Sequence, residues 1–252
     1  MLHKNVLVFS VLALCSIQTV TQGDKQVQRK DSITVSAGIS KEQLALEDRL
    51  NEIVSQGNQA LRSGNAADAI KQYEIAFDLV QKQPLLAERK NYVLDKLANG
   101  YVQGNRAKDA IPIYSQLLAA RNRDCESQSA AVSNCADAQY SLGMAKLHAG
   151  DFDGALVSLQ DAETNYAKAE KLSDSHEFVV IQVKEQAQTN LWIAVTLFQL
   201  GKTEEATTIV EAAIPQLTRV QSDASLLVGI RDDAARSLQD AQAFLKRLKA
   251  AQ

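Results

Sequence analysis

Apolar residues recur at intervals of three and four along most of the chain. Leu46, Leu50, Ile53, Gly57 and Ala60 form one such run, and Ala206, Ile209, Val210, Ala213, Ile214 and Leu217 form another. That spacing gathers the apolar side chains on one flank of a 3.6-residue helix, so both runs predict amphipathic helices. Ser40 followed by Gln43 has the order of a capping box and marks the start of the first. Between the stripes a short pattern repeats: Gly64-Asn65 then Asp68-Ala69-Ile70; Gly104-Asn105 then Asp109-Ala110-Ile111; Gly150-Asp151 then Gly154-Ala155-Leu156; Gly201-Lys202 then Glu205-Ala206-Thr207. Glycine reaches the left-handed conformation that ends a helix, and the small alanine lets a second helix lie close to the first, so each copy predicts a helical hairpin. Leu227, Ile230, Ala234, Leu238, Ala241, Leu245 and Leu248 form a last stripe, with Arg231, Asp232, Arg236, Asp240 and Lys246 off it. This predicts an end helix beginning at about residue 223. It either covers the last hairpin or pairs with a second copy as a short coiled coil, giving a possible homodimer.

Composition agrees with long helices. Three prolines and eleven glycines in 252 residues are few breakers, and the frequent alanine, leucine, glutamine, lysine and glutamate lose little freedom in a helix. With 46% hydrophobic and 23% charged residues the chain can bury a core. A two-helix hairpin cannot bury its apolar flank alone, so neighbours must stack. The expected fold is all-α: an αα solenoid of four hairpins plus a C-terminal capping helix, over residues 40–252.

The N-terminus has a different character. His3 and Lys4 precede an apolar run from Val6 to Ile17, then small and polar residues to Gly23. This is the order of a signal peptide over 1–23, and the run is shorter than the roughly 20 residues a membrane span needs. Residues 24–39 then form a linker, and no span remains after cleavage. An uncleaved or lipidated anchor is the lesser reading, because Leu14 occupies the position before Cys15 where a lipoprotein signal has a small residue. Removing the leader leaves Cys125 and Cys135, which in an exported chain predict one disulfide at a junction between hairpins. The expected location is periplasmic or extracellular. The chain holds no Asn-x-Ser/Thr acceptor, which leans towards a bacterial envelope.

Charge and motifs narrow the function classes. The 27 basic and 30 acidic residues give a net charge of -3 without a dense basic cluster, which argues against nucleic acid. Leu200-Gly201-Lys202-Thr203 ends like a phosphate-binding loop, but Thr196 stands where that motif needs glycine. His176-Glu177 opens like a zinc-protease helix, but Val180 replaces the second histidine. Asp151, Asp153 and Gly154 suggest a calcium loop, but Ala162 stands where the closing glutamate belongs. Only three histidines occur, and no serine sits in a nucleophile elbow. The expectation is therefore no enzyme, no metal and no cofactor.

The repeated residues resemble the tetratricopeptide repeat family. The third unit matches through Leu142, Gly143, Gly150, Asp151, Phe152, Ala155 and Ala162; the first through Gly57, Gly64, Ala69, Tyr73 and Ala76; the second through Leu97, Ala98, Tyr101, Ala110 and Tyr114; the fourth through Gly201, Ala206 and Ala213. The resemblance spans about residues 44–218. The turn glycines lie 40, 46 and 51 residues apart, against ~34 in the family, so helices or connections are lengthened. The resemblance implies a groove lined by the first helix of each hairpin. Asn58 and Asn99 match positions of the family's carboxylate clamp, but its cations do not follow. Asn58, Arg62, Lys96 and Asn99 suggest a polar first half of the groove, and Tyr140 and Met144, with Leu191, Val195 and Phe198, an apolar second half. Taken singly, each of those last three is read as core between stacked hairpins in preference to groove, and Trp192 as buried too. The implied role is an adaptor or scaffold that holds a peptide or protein partner outside the cytoplasm; the alternative is a self-associating or envelope-anchored structural subunit.

Overall fold

The structure, a computed structural model, describes residues 40–121, 125 and 128–251. The signal peptide, the linker and Cys15 lie outside the described residues. The helices are α1 (Lys41–Arg62), α2 (Ala66–Lys82), a 3-10 helix (Pro84–Arg89), α3 (Lys90–Gln103), α4 (Ala107–Arg121), α5 (Ser129–Ala149), α6 (Phe152–Lys171), α7 (His176–Gln199), α8 (Thr203–Ser222) and α9 (Val228–Ala250). No strand occurs among the described residues. The fold is all-α, four hairpins and an end helix, in which helices pack on their sequence neighbours as in an αα solenoid. The first long spacing comes from the six-residue 3-10 helix inserted between α2 and α3, and the later ones draw on helix length, since α5 to α8 have 20 to 24 residues each, whereas α3 and α4 have 14 and 15.

All four hairpin turns close by the same backbone bond, in which an amide reaches the carbonyl five residues back: Asn65 to Ala60, Arg106 to Tyr101, Asp151 to Lys146, and Lys202 to Leu197. This is the Schellman ending, which satisfies carbonyls that the helix leaves open. Gly64, Gly150 and Gly201 take its left-handed position, with φ of 78°, 83° and 81°. In the second turn that position belongs to Asn105, at φ 57°, rather than to Gly104. Asparagine tolerates the conformation better than other side chains do, and Gly104 serves proximity instead. A Cβ there would stand 2.9 Å from Ile70 Cδ1. The polar residue after the glycine then starts the next helix: Asn65 Oδ1 accepts from the Asp68 amide and Asp151 Oδ1 from the Gly154 amide. Ser40 accepts from the Gln43 amide at 3.0 Å in the expected way.

The chain forms two compact units, meeting in sequence at Ile113 and Tyr114 within α4. In the first, Tyr73 is fully buried and its ring lies against both Gly57 and Gly100. Leu50, Val54, Ile70, Leu86 and Val93 complete that core. In the second, Leu159 takes the corresponding place against Gly143. The core runs on through Ile193, Val210 and Leu217 to Ala241, Phe244 and Leu248 of α9. The stripe of α9 therefore turns inward: Ala234, Ala241 and Leu248 are fully buried, and Ile230, Leu238 and Leu245 pack beside them. Asp232, Arg236, Gln239, Lys246 and Arg247 face outward. Residues 223–227 connect α8 to α9, so the end helix begins at Val228.

Candidate functional site

The first helices of the hairpins, α1 and α3 in one unit and α5 and α7 with α9 in the other, touch one another as well as the second helices. In the unit of residues 40–113 the four polar residues expected of a groove are exposed or half-buried. Asn58 is half-buried, and its Oδ1 accepts from Tyr73 Oη at 2.8 Å, so the core tyrosine fixes this amide. Arg62 is exposed. Lys96 and Asn99 are half-buried, and the Lys96 ammonium lies 5.4 Å from the centre of the Tyr92 ring, which Arg89 also approaches at 4.9 Å. Arg89 in turn meets Glu47 at 3.4 Å and Asn51 at 3.2 Å, tying α1 to the 3-10 helix.

The other unit departs from the expected apolar surface. Met144 is 8% exposed and belongs to the core with Leu147 and Ala194. Val195 is buried, and Leu191, Phe198 and half-buried Tyr140 pack against the core. The core reading holds for these side chains because α7 is covered by helices on more than one side. The first-helix face here is polar. Tyr166, buried in α6, donates from its hydroxyl to Asp137 Oδ1 of α5 at 2.6 Å. Burial, then the carboxylates of Asp137 and Glu185, raises the tyrosine well above its ordinary range, so it stays a proton donor. Lys184 is 8% exposed; its ammonium lies 2.9 Å from Glu185 Oε1 and 3.9 Å from Asp233 Oδ2 of α9. Gln188 donates to Ser237 Oγ at 2.7 Å. Further polar bonds join α6 to its neighbours, Asn165 to Gln139 at 2.7 Å and Gln186 to Glu163 at 2.6 Å.

Sequence reasoning missed this network. Its single trace along the chain is that Lys184 and Gln188, and Asp233 and Ser237, are each four apart and so face the same way on their helices. The network is made of hydrogen-bond donors, acceptors and carboxylates that engage one another across neighbouring helices. Among the described residues no group of three or more His, Cys, Asp or Glu side chains gathers as a metal site. His148, on α5, is held below the ordinary imidazole value by burial and is neutral.

Cys125 and Cys135 stand in disulfide geometry with Cα atoms 5.9 Å apart. Cys125 belongs to the connection before α5, while Cys135 lies inside α5, buried. Lys168 of α6 donates to the Cys125 carbonyl at 3.4 Å, and Arg121 of α4 to the Asn134 carbonyl at 3.1 Å. The pair ties the entry of the third hairpin to its first helix.

Residues 96–170 match the family model described as tetratricopeptide repeat. Among solved structures, the nearly identical TPR-like repeats of a protein described as a kinesin light chain from Podosopora anserina align at 16% identity. That alignment covers 80% of this chain and 93% of the other, with a TM-score of 0.51. The protein MamA aligns at 19% identity over 78% of this chain and 97% of its own, with a TM-score of 0.43. No curated protein matches the chain. The match to the tetratricopeptide repeat model is thus confined to residues 96–170, and the helical hairpins have the fold of a tetratricopeptide-repeat array.

Proposed function

We propose that the chain is a non-enzymatic adaptor that holds a peptide or protein segment against the first-helix face of residues 129–250, outside the cytoplasm. The observation that carries the reading is the division of labour in this unit. The second helices and the inward stripe of α9 take up the apolar surface, while α5, α7 and α9 keep Asp137, Glu185, Gln188 and Asp233 in fixed, half-buried positions on one side. Pre-set polar groups suit main-chain and side-chain recognition of an extended segment. The inward turn of the α9 stripe favours a cap over a coiled-coil seam. The leader-like residues 1–23 and the cysteine geometry support an oxidising, extracytoplasmic compartment.

The test is site-specific photo-crosslinking in the cells that make the protein. A photoreactive residue at Asn134 or Gln188 is expected to trap one partner, and the same residue at Gln160, exposed on α6, to trap none. Equal trapping at Gln160, or capture of the chain's own copies alone, overturns the adaptor reading. Sequencing the N-terminus of the cellular protein checks export: a start near Asp24 is expected, and an intact Met1 start in a cytoplasmic fraction rejects it.

A further inference from the structure

The seam between α7 and α9 is held at two levels. Gln188 bonds to Ser237 at 2.7 Å, and the rings of Phe198 and Phe244 meet edge to face with centroids 6.0 Å apart. Lys184 reaches Asp233 one turn before the first of these, so the two helices run parallel in this register. Trp192 lies one turn beyond Gln188 and Asp240 three residues beyond Ser237, so both fall between the two levels. At 100° per residue, Trp192 shares the side of α7 that carries Glu185, and Asp240 the side of α9 that carries Arg236, which is the first-helix face.

Both are half-buried, Trp192 with its flank on the core. Among the described residues the indole ring has no ring or cation partner and the Asp240 carboxylate has no hydrogen bond or ion pair. This contrasts with Tyr92 and Tyr101, which their own chain covers with Lys96, Arg89 and Arg106. Arg236, one turn before Asp240, is engaged by Asp233. Desolvation without a counter-ion raises the Asp240 carboxyl above its ordinary value.

We propose that Trp192 and Asp240 form a subsite for the cationic side chain of a lysine or arginine in an extended basic segment of a partner protein lying across α7 and α9. The proposal rests on the adaptor reading and names the partner's chemistry. An aromatic face attracts a cation through its quadrupole, and a desolvated carboxylate lacking a partner gains a charge-assisted hydrogen bond from it.

Trp192 is the chain's one tryptophan, so its emission reports on the site directly. The full chain is titrated with a short peptide alternating lysine and serine and, separately, with its glutamate–serine counterpart. A saturable change in emission with the lysine peptide alone is expected. Asp240→Asn weakens that binding about three- to thirtyfold, whereas Asp161→Asn, on the exposed side of α6, leaves it unchanged. Trp192→Phe, read by the anisotropy of a labelled lysine peptide and checked by circular dichroism, weakens it within the same range. No response to the lysine peptide, an equal response to the glutamate peptide, or full affinity in Asp240→Asn overturns the subsite. If an apolar amphipathic peptide still binds by anisotropy, the subsite alone falls. If that peptide fails too and Gln188 traps no partner, the adaptor reading falls with it.

Discussion

Tyr73 shows how one side chain sets the composition of its neighbours. Its ring is fully buried between α1 and α3, where a Cβ on Gly57 would stand 2.5 Å from Cε1 and one on Gly100 3.1 Å from Cδ2. The ring cannot yield to one side without pressing on the other. Gly57→Ala is therefore expected to destabilise by about 1–3 kcal/mol. Gly229→Ala, with nothing within 4 Å of its Cβ, is expected to be neutral or to stabilise by up to about 1 kcal/mol. Urea denaturation of the two variants checks the contrast, and equal losses reject it. His148 adds a pH dependence of definite sign. Burial lowers its folded-state pKa, so the unfolded chain binds the proton more readily. The contribution is complete above the unfolded value of about 6.5 and is lost as pH falls from there through the folded value. His148→Gln is expected to flatten stability against pH across that window; an unaltered slope refutes the assignment.

Helix ends and connections show how elements are joined. The Schellman bonds and side-chain caps make each hairpin turn a local solution, which is why the turns repeat while the helices between them differ in length. The entry to α5 lacks a side-chain cap on Gln128, and the Cys125–Cys135 link and Arg121 hold it instead. In the chain-entropy account a loop with this separation of 10 residues contributes about 3 kcal/mol. Cys125→Ser with Cys135→Ser, or reduction with dithiothreitol, is expected to remove about that amount in denaturant titration. Two free thiols in the denatured, unreduced protein refute the bridge.

Taken as a molecule, the chain has two compact units with separate apolar clusters. Leu159→Ala is expected to cost about 2–5 kcal/mol and Tyr73→Ala a similar amount, each felt first within its own unit, as stability in a repeat array is largely a nearest-neighbour quantity. Hydrogen exchange followed by mass spectrometry resolves this. Protection is expected to fall in α5 to α8 for the first variant and in α1 to α3 for the second; uniform loss across the chain rejects it. Phe244→Ala tests the cap, since it opens the core where α9 meets Phe198. A loss of about 3–5 kcal/mol is expected.

The four hairpins, their turns and the end helix were legible along the chain because their causes are local. Gly64, Gly150 and Gly201 act on residues within one turn of themselves, and the stripes of α1 and α9 are periodic over consecutive residues. Gly104 was legible as a turn marker and not as the packing glycine it is, because its contact with Ile70 belongs to another helix. The character of the first-helix face was a tertiary outcome. Tyr166 meets Asp137 across 29 residues and Gln188 meets Ser237 across 49, and no periodicity within one helix encodes such a pairing. Met144 pointed to a partner surface by spacing alone, and packing against neighbouring helices took it into the core. A repeat pattern states which helices pair, because pairing follows from apolar stripes. Which side chains remain for a ligand depends on what the neighbouring helices leave uncovered, and that is settled only when all of them are in place.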